Sequence, residues 1–472
     1  MNSTPASTPP GAARIALLAA LALAAAPTAP LAAQADAADP APPAALDPRI
    51  LDIVDAVSAE RIERDIRTLA GFGTRHTMSD TLSETRGIGA ARRWIKAEFD
   101  RISAGCGGCL EVYYQEYLQE GDEQSRIPVD TRIVNVVAIQ RGATHPDRYV
   151  IMSGDIDSRV SDNLDATSDS PGANDNASGM AGALEAARVL SAYRFDKSVV
   201  YAGLSGEEQG LYGGRHMAQV AADSGWVIEG VLNNDMIGNI EGVDGVVDNP
   251  TVRVFSEPVP PSPTAQQHGA HRFFGGEVDG PSRQLARYVD RITGTYLGDR
   301  NLDAMMIYRL DRFGRGGHHR PFNDAGFPAV RIMETHENYT RQHQDLRVED
   351  GIAYGDVVEG VNFDYARRLT AVNAAVLASL GWAPPTPTNV EIRGAVQPSA
   401  RLSWEAVADP GLAGYKIYWR ATTAPQWSHS RWVGDTTEHT MEGMVVDNFL
   451  FGVAAVGRDG NESAVAFPTP GR

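Results

Sequence analysis

Arg148 to Leu190 reads RYVIMSGDIDSRVSDNLDATSDSPGANDNASGMAGALEAARVL, and this stretch decides the fold. It opens with a short apolar run, Arg148 to Met152, which has the length of a buried strand. It closes with Ala177 to Leu190, whose small and apolar residues recur at helical spacing. An Asp-, Ser- and Gly-rich loop joins the two. The same alternation continues downstream, with strands predicted at Val199 to Leu204 (VVYAGL), Ile228 to Asn233 (IEGVLN) and Ala329 to Met333 (AVRIM). Upstream, Leu51 to Ile102 is helical in pattern, with Gly89 to Phe99 (GAARRWIKAEF) as its plainest segment. Strands alternating with helices predict an α/β domain with a mainly parallel sheet.

Beyond Pro384 to Pro387 (PPTP) the composition changes. Ala400 to Trp404, Gly414 to Tyr418 and Phe449 to Val456 read as short strands separated by turn signals, which predicts a small all-β sandwich over 388–472 with Trp404 and Tyr415 in its core. At the other end, Arg14 precedes the apolar run Ile15 to Ala26 and an Ala33-x-Ala35 pattern, the layout of a removable signal peptide over 1–35. That run is shorter than the roughly 20 apolar residues of a spanning helix, so no membrane span is expected. The chain is therefore expected to be exported, periplasmic or extracellular. Residues 36–48 are Pro/Ala-rich and read as a disordered lead-in, which leaves 49–383 for the α/β domain.

The net charge of -18 argues against nucleic acid as a partner and suits a site that concentrates cations, although an acidic soluble surface has the same composition. The two cysteines, Cys106 and Cys109, stand in a CGGC motif. With no second pair in the sequence and an exported chain, a small structural disulfide is expected rather than a zinc half-site.

The chemistry-bearing residues gather at the ends of the predicted strands. The first strand runs into Asp155 and Asp157, and GANDNASG places Asp175 and Asn176 at a helix start. The second strand runs into Glu207 and Glu208, the third into Asp235, and the fourth is followed by His336, His343 and Asp345. Ligands of open α/β sheets bind beyond the carboxyl ends of the strands. Taken singly, Asp175 reads as a helix cap and Glu207–Glu208 as a solvated turn. Taken together, so many carboxylates on one edge repel one another unless a cation neutralises them.

GANDNASG, SGEEQGLYG, NNDMIG and a late histidine, in that order, resemble the M28 family of zinc peptidases, over roughly residues 50–380. The resemblance implies an α/β/α sandwich around a mixed sheet and two divalent metal ions, zinc first, with manganese or cobalt as alternatives. It implies Asp175 as the carboxylate bridging both ions, Glu208 and His343 as further ligands of one and Asp235 as a ligand of the other. Glu207 becomes the general base, with Asp157 and Asn176 supporting the ligands from behind. It also implies peptide substrates, with an aminopeptidase activity; a carboxypeptidase, a glutaminyl cyclase and a degenerate binding protein are the alternatives.

One position departs from the family pattern. Where that pattern has His-x-Asp after the first strand, this chain has Asp155-Ile156-Asp157, so Asp155 is expected to take the ligand position, with Arg159 as a nearby compensating cation. Tyr339, close to His343 in sequence, is a candidate for polarising the scissile carbonyl; a packed surface aromatic is the alternative. Asp311 to Phe327 is Gly- and Arg-rich and is either a lining of the cleft or a loop ordered by its own ion pairs. No role follows for His318 and His319. The β-sandwich resembles a fibronectin type III domain, which implies a contact to a surface or polymer and no chemistry.

Overall fold

Eight strands form one mixed sheet in the computed structural model, which describes residues 41–261 and 264–471. In chain order they are β1 (Leu110–Gln119), β2 (Thr131–Gln140), β3 (His145–Asp155), β4 (Lys197–Leu204), β5 (Val227–Asn234), β6 (Thr251–Ser256), β7 (Asp303–Ile307) and β8 (Ala329–Met333). Their spatial order is β1-β2-β4-β3-β5-β8-β6-β7. The central strands β4, β3, β5 and β8 run parallel, while β1 and β2 pair antiparallel to each other and β2 antiparallel to β4. Strand β6 is antiparallel to β8 and parallel to β7.

The four runs singled out in the sequence lie in the four central strands, because both faces of those strands are covered and their apolar runs are continuous. Val150 and Met152 point into one core layer, Tyr149 and Ile151 into the other; Val199 and Tyr201 alternate with Val200 and Ala202 in the same way. The outer strands carry weaker signals. Strand β1 (LEVYYQEYLQ) exposes four of its ten residues and buries two, and β7 is an edge strand with no fully buried residue.

Helices cover both faces. Those on the first are α1 (Pro48–Ala56), α2 (Ala59–Ala70), α3 (Gly87–Gly105), α4 (Ala177–Leu190), α7 (Pro281–Tyr296) and α9 (Phe363–Trp382), while α5 (Tyr212–Asp223) and α8 (His319–Asp324) cover the second; α6 (Ala265–Phe273) buries none of its residues. Helix α4 lies directly on β3. A Cβ on Gly154 would fall 2.5 Å from the backbone of Gly179 and Met180, so glycine at that position lets the helix start approach the strand end. This approach brings Asp175 and Asn176 beside Asp155. No helix among the described residues is long and apolar enough to cross a membrane.

After a two-stranded ribbon, β9 (Arg347–Glu349) and β10 (Ile352–Tyr354), the chain ends in seven strands in two sheets. One sheet holds β15 (Glu438–Met441), β12 (Ala400–Ser403), β11 (Glu391–Arg393) and β17 (Thr469–Pro470); the other holds β14 (His429–Gly434), β13 (Leu412–Ala421) and β16 (Phe449–Gly457). Trp404 and Tyr415 are buried in their shared core, ring centroids 5.3 Å apart. The architecture changes after Ala383, yet Ala41–Arg472 forms one compact unit. Buried Asp279 accepts from both Arg287 and Arg420, and the Tyr288 hydroxyl donates to the Glu462 carbonyl across the junction.

The stretch expected as a signal peptide lies outside the described residues, as do residues 36–40 of the expected lead-in. The end of that lead-in is ordered: Asp47 is buried, caps α1 through the Arg49 amide and accepts from Asn461 at 2.8 Å. Cys106 and Cys109 are joined in a disulfide at the end of α3.

Candidate metal centre

Asp155, Asp157, Asp175, Glu207, Glu208 and Asp235 arrive at the carboxyl ends of the parallel strands, where side chains converge on a crevice, whereas Asp345 is exposed and accepts from Ser161. The loop before α4 is fixed from behind by Asp356, whose carboxylate accepts from the backbone N–H of Asn174 (2.9 Å) and Asp175 (2.6 Å). Asn176 caps α4 by accepting from Gly179 N (3.0 Å) and donates to the Asn234 carbonyl (2.7 Å), stapling the helix start to β5. The Asp175–Asn176 peptide is cis. His343 has φ 55° and Met236, beside Asp235, has φ 59°, the left-handed region that non-glycine residues adopt where surrounding structure imposes it, often at functional sites.

Asp175, Glu208 and His343 are brought together. Among the described residues, their ligand atoms all lie within 4.8 Å of one another. His343 Nε2 is 3.0 Å from Asp175 Oδ2 and 3.1 Å from Glu208 Oε1. Gln342 donates to Asp175 at 3.1 Å, and Arg159 pairs with Glu208 at 2.8 Å while its other nitrogen lies 2.7 Å from His343 Nδ1. Burial opposes charge on all three groups, but their mutual attraction outweighs it. Asp175 and Glu208 are held below their usual range and His343 is pushed up to about 9. The pocket between the carboxylates therefore favours a cation. Two carboxylates and an imidazole suit zinc, and bonds of about 2.0–2.2 Å to a tetrahedral ion put neighbouring donors roughly 3.4 Å apart, close to the separations seen. The donor set fits one ion.

Asp155 and Asp235, the expected ligands outside this set, meet other partners. Asp155 Oδ1 lies 2.6 Å from His318 Nδ1, and its Oδ2 accepts from Asn176 at 2.7 Å. Asp235 Oδ2 is 2.6 Å from Arg331 Nη2. Burial first, then the neighbouring carboxylates, lift Asp155 and Asp235 each to about 8, against the opposing pull of Asn176 and Arg331. The physical reason for the difference is supply: the fold brings a histidine and an arginine of its own to these carboxylates. Arg159, expected to compensate Asp155 and Asp157, pairs with Glu208 instead.

Glu207 reaches the same cleft without entering the cluster of three. Burial, and then the charges of Glu208, Asp235, Asp155 and Asp175, push its carboxyl well above the usual range. Asp157 sets the position of both glutamates. It accepts from the backbone N–H of Glu207 (3.2 Å) and Glu208 (3.0 Å) and from the Thr77 hydroxyl (3.0 Å). Burial, then Glu208, raises it to about 6. Asn176 likewise supports the site, through its bonds to Asp155 and Asn234.

The cleft has a volume of about 310 Å³. The loop 311–327 lines it with Arg312, Gly314, Arg315, Gly316 and Arg320, and Arg126, Arg159 and Arg215 add to that wall. Tyr339 is not among the lining side chains and is 57% exposed, so the expected carbonyl polariser is corrected to a surface aromatic. Two partners that shape the site, Arg331 and His318, were not assigned a role from the sequence. The available signal was Arg331 itself, a charged residue inside the otherwise apolar strand AVRIM.

The model of peptidase family M28 matches residues 135–255. A probable zinc metalloprotease of Leptosphaeria maculans is 44% identical over 427 residues, covering 90% of this chain and 98% of its own. This chain belongs to peptidase family M28. A second family relative, a probable zinc metalloprotease of Pyrenophora tritici-repentis, is 42% identical over 90% of this chain and 88% of its own. Among solved structures, the LapA aminopeptidase of Legionella pneumophila superposes with a TM-score of 0.52 at 17% identity, covering 72% of this chain and 76% of its own, a likeness of fold.

Proposed function

We propose that this chain is an exported zinc exopeptidase that removes N-terminal residues from peptides, with Glu207 as general base and Asp175, Glu208 and His343 holding the ion. The observation that carries the reading is the pairing of a compact three-donor site with a separate, unshared carboxylate in one cleft. Zinc held by the three donors would polarise the scissile carbonyl and make water a nucleophile at neutral pH. Glu207 takes a proton from the attacking water and returns it to the leaving amine, and a carboxyl held above the usual carboxylate range by burial and neighbouring carboxylates is the more basic for it. The cleft volume is at the small end of the roughly 300–1,000 Å³ of ligand pockets, room for a terminal residue rather than an extended chain. Asp235 Oδ1 is buried without a hydrogen-bond partner and its residue lines the cleft, so it is placed to accept from a substrate ammonium. Its relatives' names support zinc and proteolysis.

A carboxypeptidase is the second reading, and one observation favours it. Arg126, Arg215 and Arg320 line the cleft and make no ion pair with a carboxylate among the described residues, a setting that suits a substrate carboxylate. The leader over 1–35 supports export, and the C-terminal sandwich, read as fibronectin type III-like, is proposed as a surface- or polymer-contacting unit.

The test is hydrolysis of aminoacyl chromogenic substrates beside N-blocked dipeptides with free carboxyl ends, with and without chelator. Cleavage of the first set, abolished by chelator, is expected; cleavage of the blocked set alone selects the second reading. Glu207→Gln should lower kcat about 10²–10⁴-fold with zinc content unchanged. Activity that survives chelation and Glu207→Gln removes the proposal.

A further inference from the structure

We infer that Arg331 stands where a second cation would be needed, so that the chain binds a single metal ion. The inference rests on the zinc reading above and limits it. An ion shared by Asp175, Asp155 and Asp235 needs free carboxylate oxygens on the last two. Asp155 has neither oxygen free, since one faces His318 and the other accepts from Asn176. Asp235 keeps Oδ1 without a partner, but its Oδ2 faces the guanidinium of Arg331 at 2.6 Å, so its charge is already neutralised by the chain. The imidazole that the family pattern puts at position 155 is absent, so this corner also lacks its nitrogen donor.

Arg331 is held in place and cannot swing away. Alternation along β8 sends its side chain to the sheet face that Ala329 shares, and it is fully buried. Nη1 donates to both oxygens of Asp311 (3.0 and 3.1 Å) and to the Gly316 carbonyl (2.8 Å). The glycine loop packs against it: a Cβ on Gly317 would lie 3.3 Å from Arg331 Nη1 and 3.1 Å from Asn233 Oδ1. A guanidinium is permanently charged and fixed in geometry, so it neutralises Asp235 without an exchangeable ion and repels a dication brought beside it. His318 and Arg331 thus account for the two carboxylates that the three-donor site leaves out.

The test is metal stoichiometry, measured by elemental analysis and calorimetric titration of the full chain with zinc. One zinc per chain is expected even at saturating zinc. Two would overturn the inference while leaving the zinc reading standing. None would remove both. The double variant Arg331→Met with Asp155→His vacates the guanidinium and restores the imidazole, and its stoichiometry should rise from one to two, with circular dichroism and thermal melting confirming that it folds. A folded double variant that stays at one zinc would overturn the role given to Arg331.

Discussion

Two corners of one acidic cluster behave differently. In the first, Asp175, Glu208 and His343 point at one another with separations near 3 Å and face the cleft. In the second, Asp155 and Asp235 are carboxylates too, more deeply buried than Asp175, and meet His318, Asn176 and Arg331. A buried carboxylate must find a partner of opposite charge or take up a proton. The first corner finds that partner in His343, itself a metal donor, and in Arg159, and the second finds it in His318 and in the fixed guanidinium of Arg331. Being a carboxylate at the end of a parallel strand is therefore not enough to make a ligand; the first corner gathers three donors on one point, whereas Asp235 in the second faces a fixed positive charge.

The comparison breaks most visibly in zinc affinity. Structural zinc sites release about 10–16 kcal/mol on binding, so one of three protein donors carries several kcal/mol. His343→Ala should weaken zinc binding on the order of 1,000-fold, whereas Asp155→Asn should stay within about threefold, both read by competition with a chromogenic chelator. Equal losses would erase the distinction between the corners.

A second expected effect, about 3 kcal/mol, concerns the metal-free protein. His343 rises from 6.5 to about 9 in the folded state, so its protonation stabilises the fold fully below pH 6.5, and that contribution is lost as pH rises through 9. Asp155 and Asp235, lifted to about 8, lose their stabilising protons in the same direction. Thermal melts of the chelated protein should fall from pH 6.5 to 9, and melts with zinc bound should fall less, since the ion takes the place of the His343 proton. A chelated protein whose melting temperature rises over that window would contradict the arrangement of the first corner.

The smallest effect is at Tyr339. Its exposed side chain leaves the cleft untouched, so Tyr339→Phe should change stability by less than about 0.5 kcal/mol and kcat/KM by less than twofold. A tenfold loss of kcat would return it to the site.

Much of the site was legible in the sequence, and the reasons are local. The strand VVYAGL followed by Glu207 and Glu208, and the helix ASGMAGALEAARVL preceded by Asp175, announce themselves because hydrophobic period and turn chemistry act over a few residues. The edge strands β1 and β7 were not legible, because partial exposure removes the continuous apolar run. For Tyr339 the sequence leaves two readings open, because nearness in sequence to His343 is not nearness in space; its exposure fits the surface aromatic. His318 was visible as a residue but not as a partner, for 163 positions separate it from Asp155.

By itself the sequence determined the α/β class, the order of the acidic motifs and the adjacency of Glu207 and Glu208 on which the proposed base rests. Only the tertiary structure decided which carboxylates are free. That choice depends on partners such as Arg331 and His318, delivered by segments distant in the chain, and on burial, which turns an unpaired charge from an inexpensive feature into a costly one. Residue type is written locally, and the company a buried charge keeps is not.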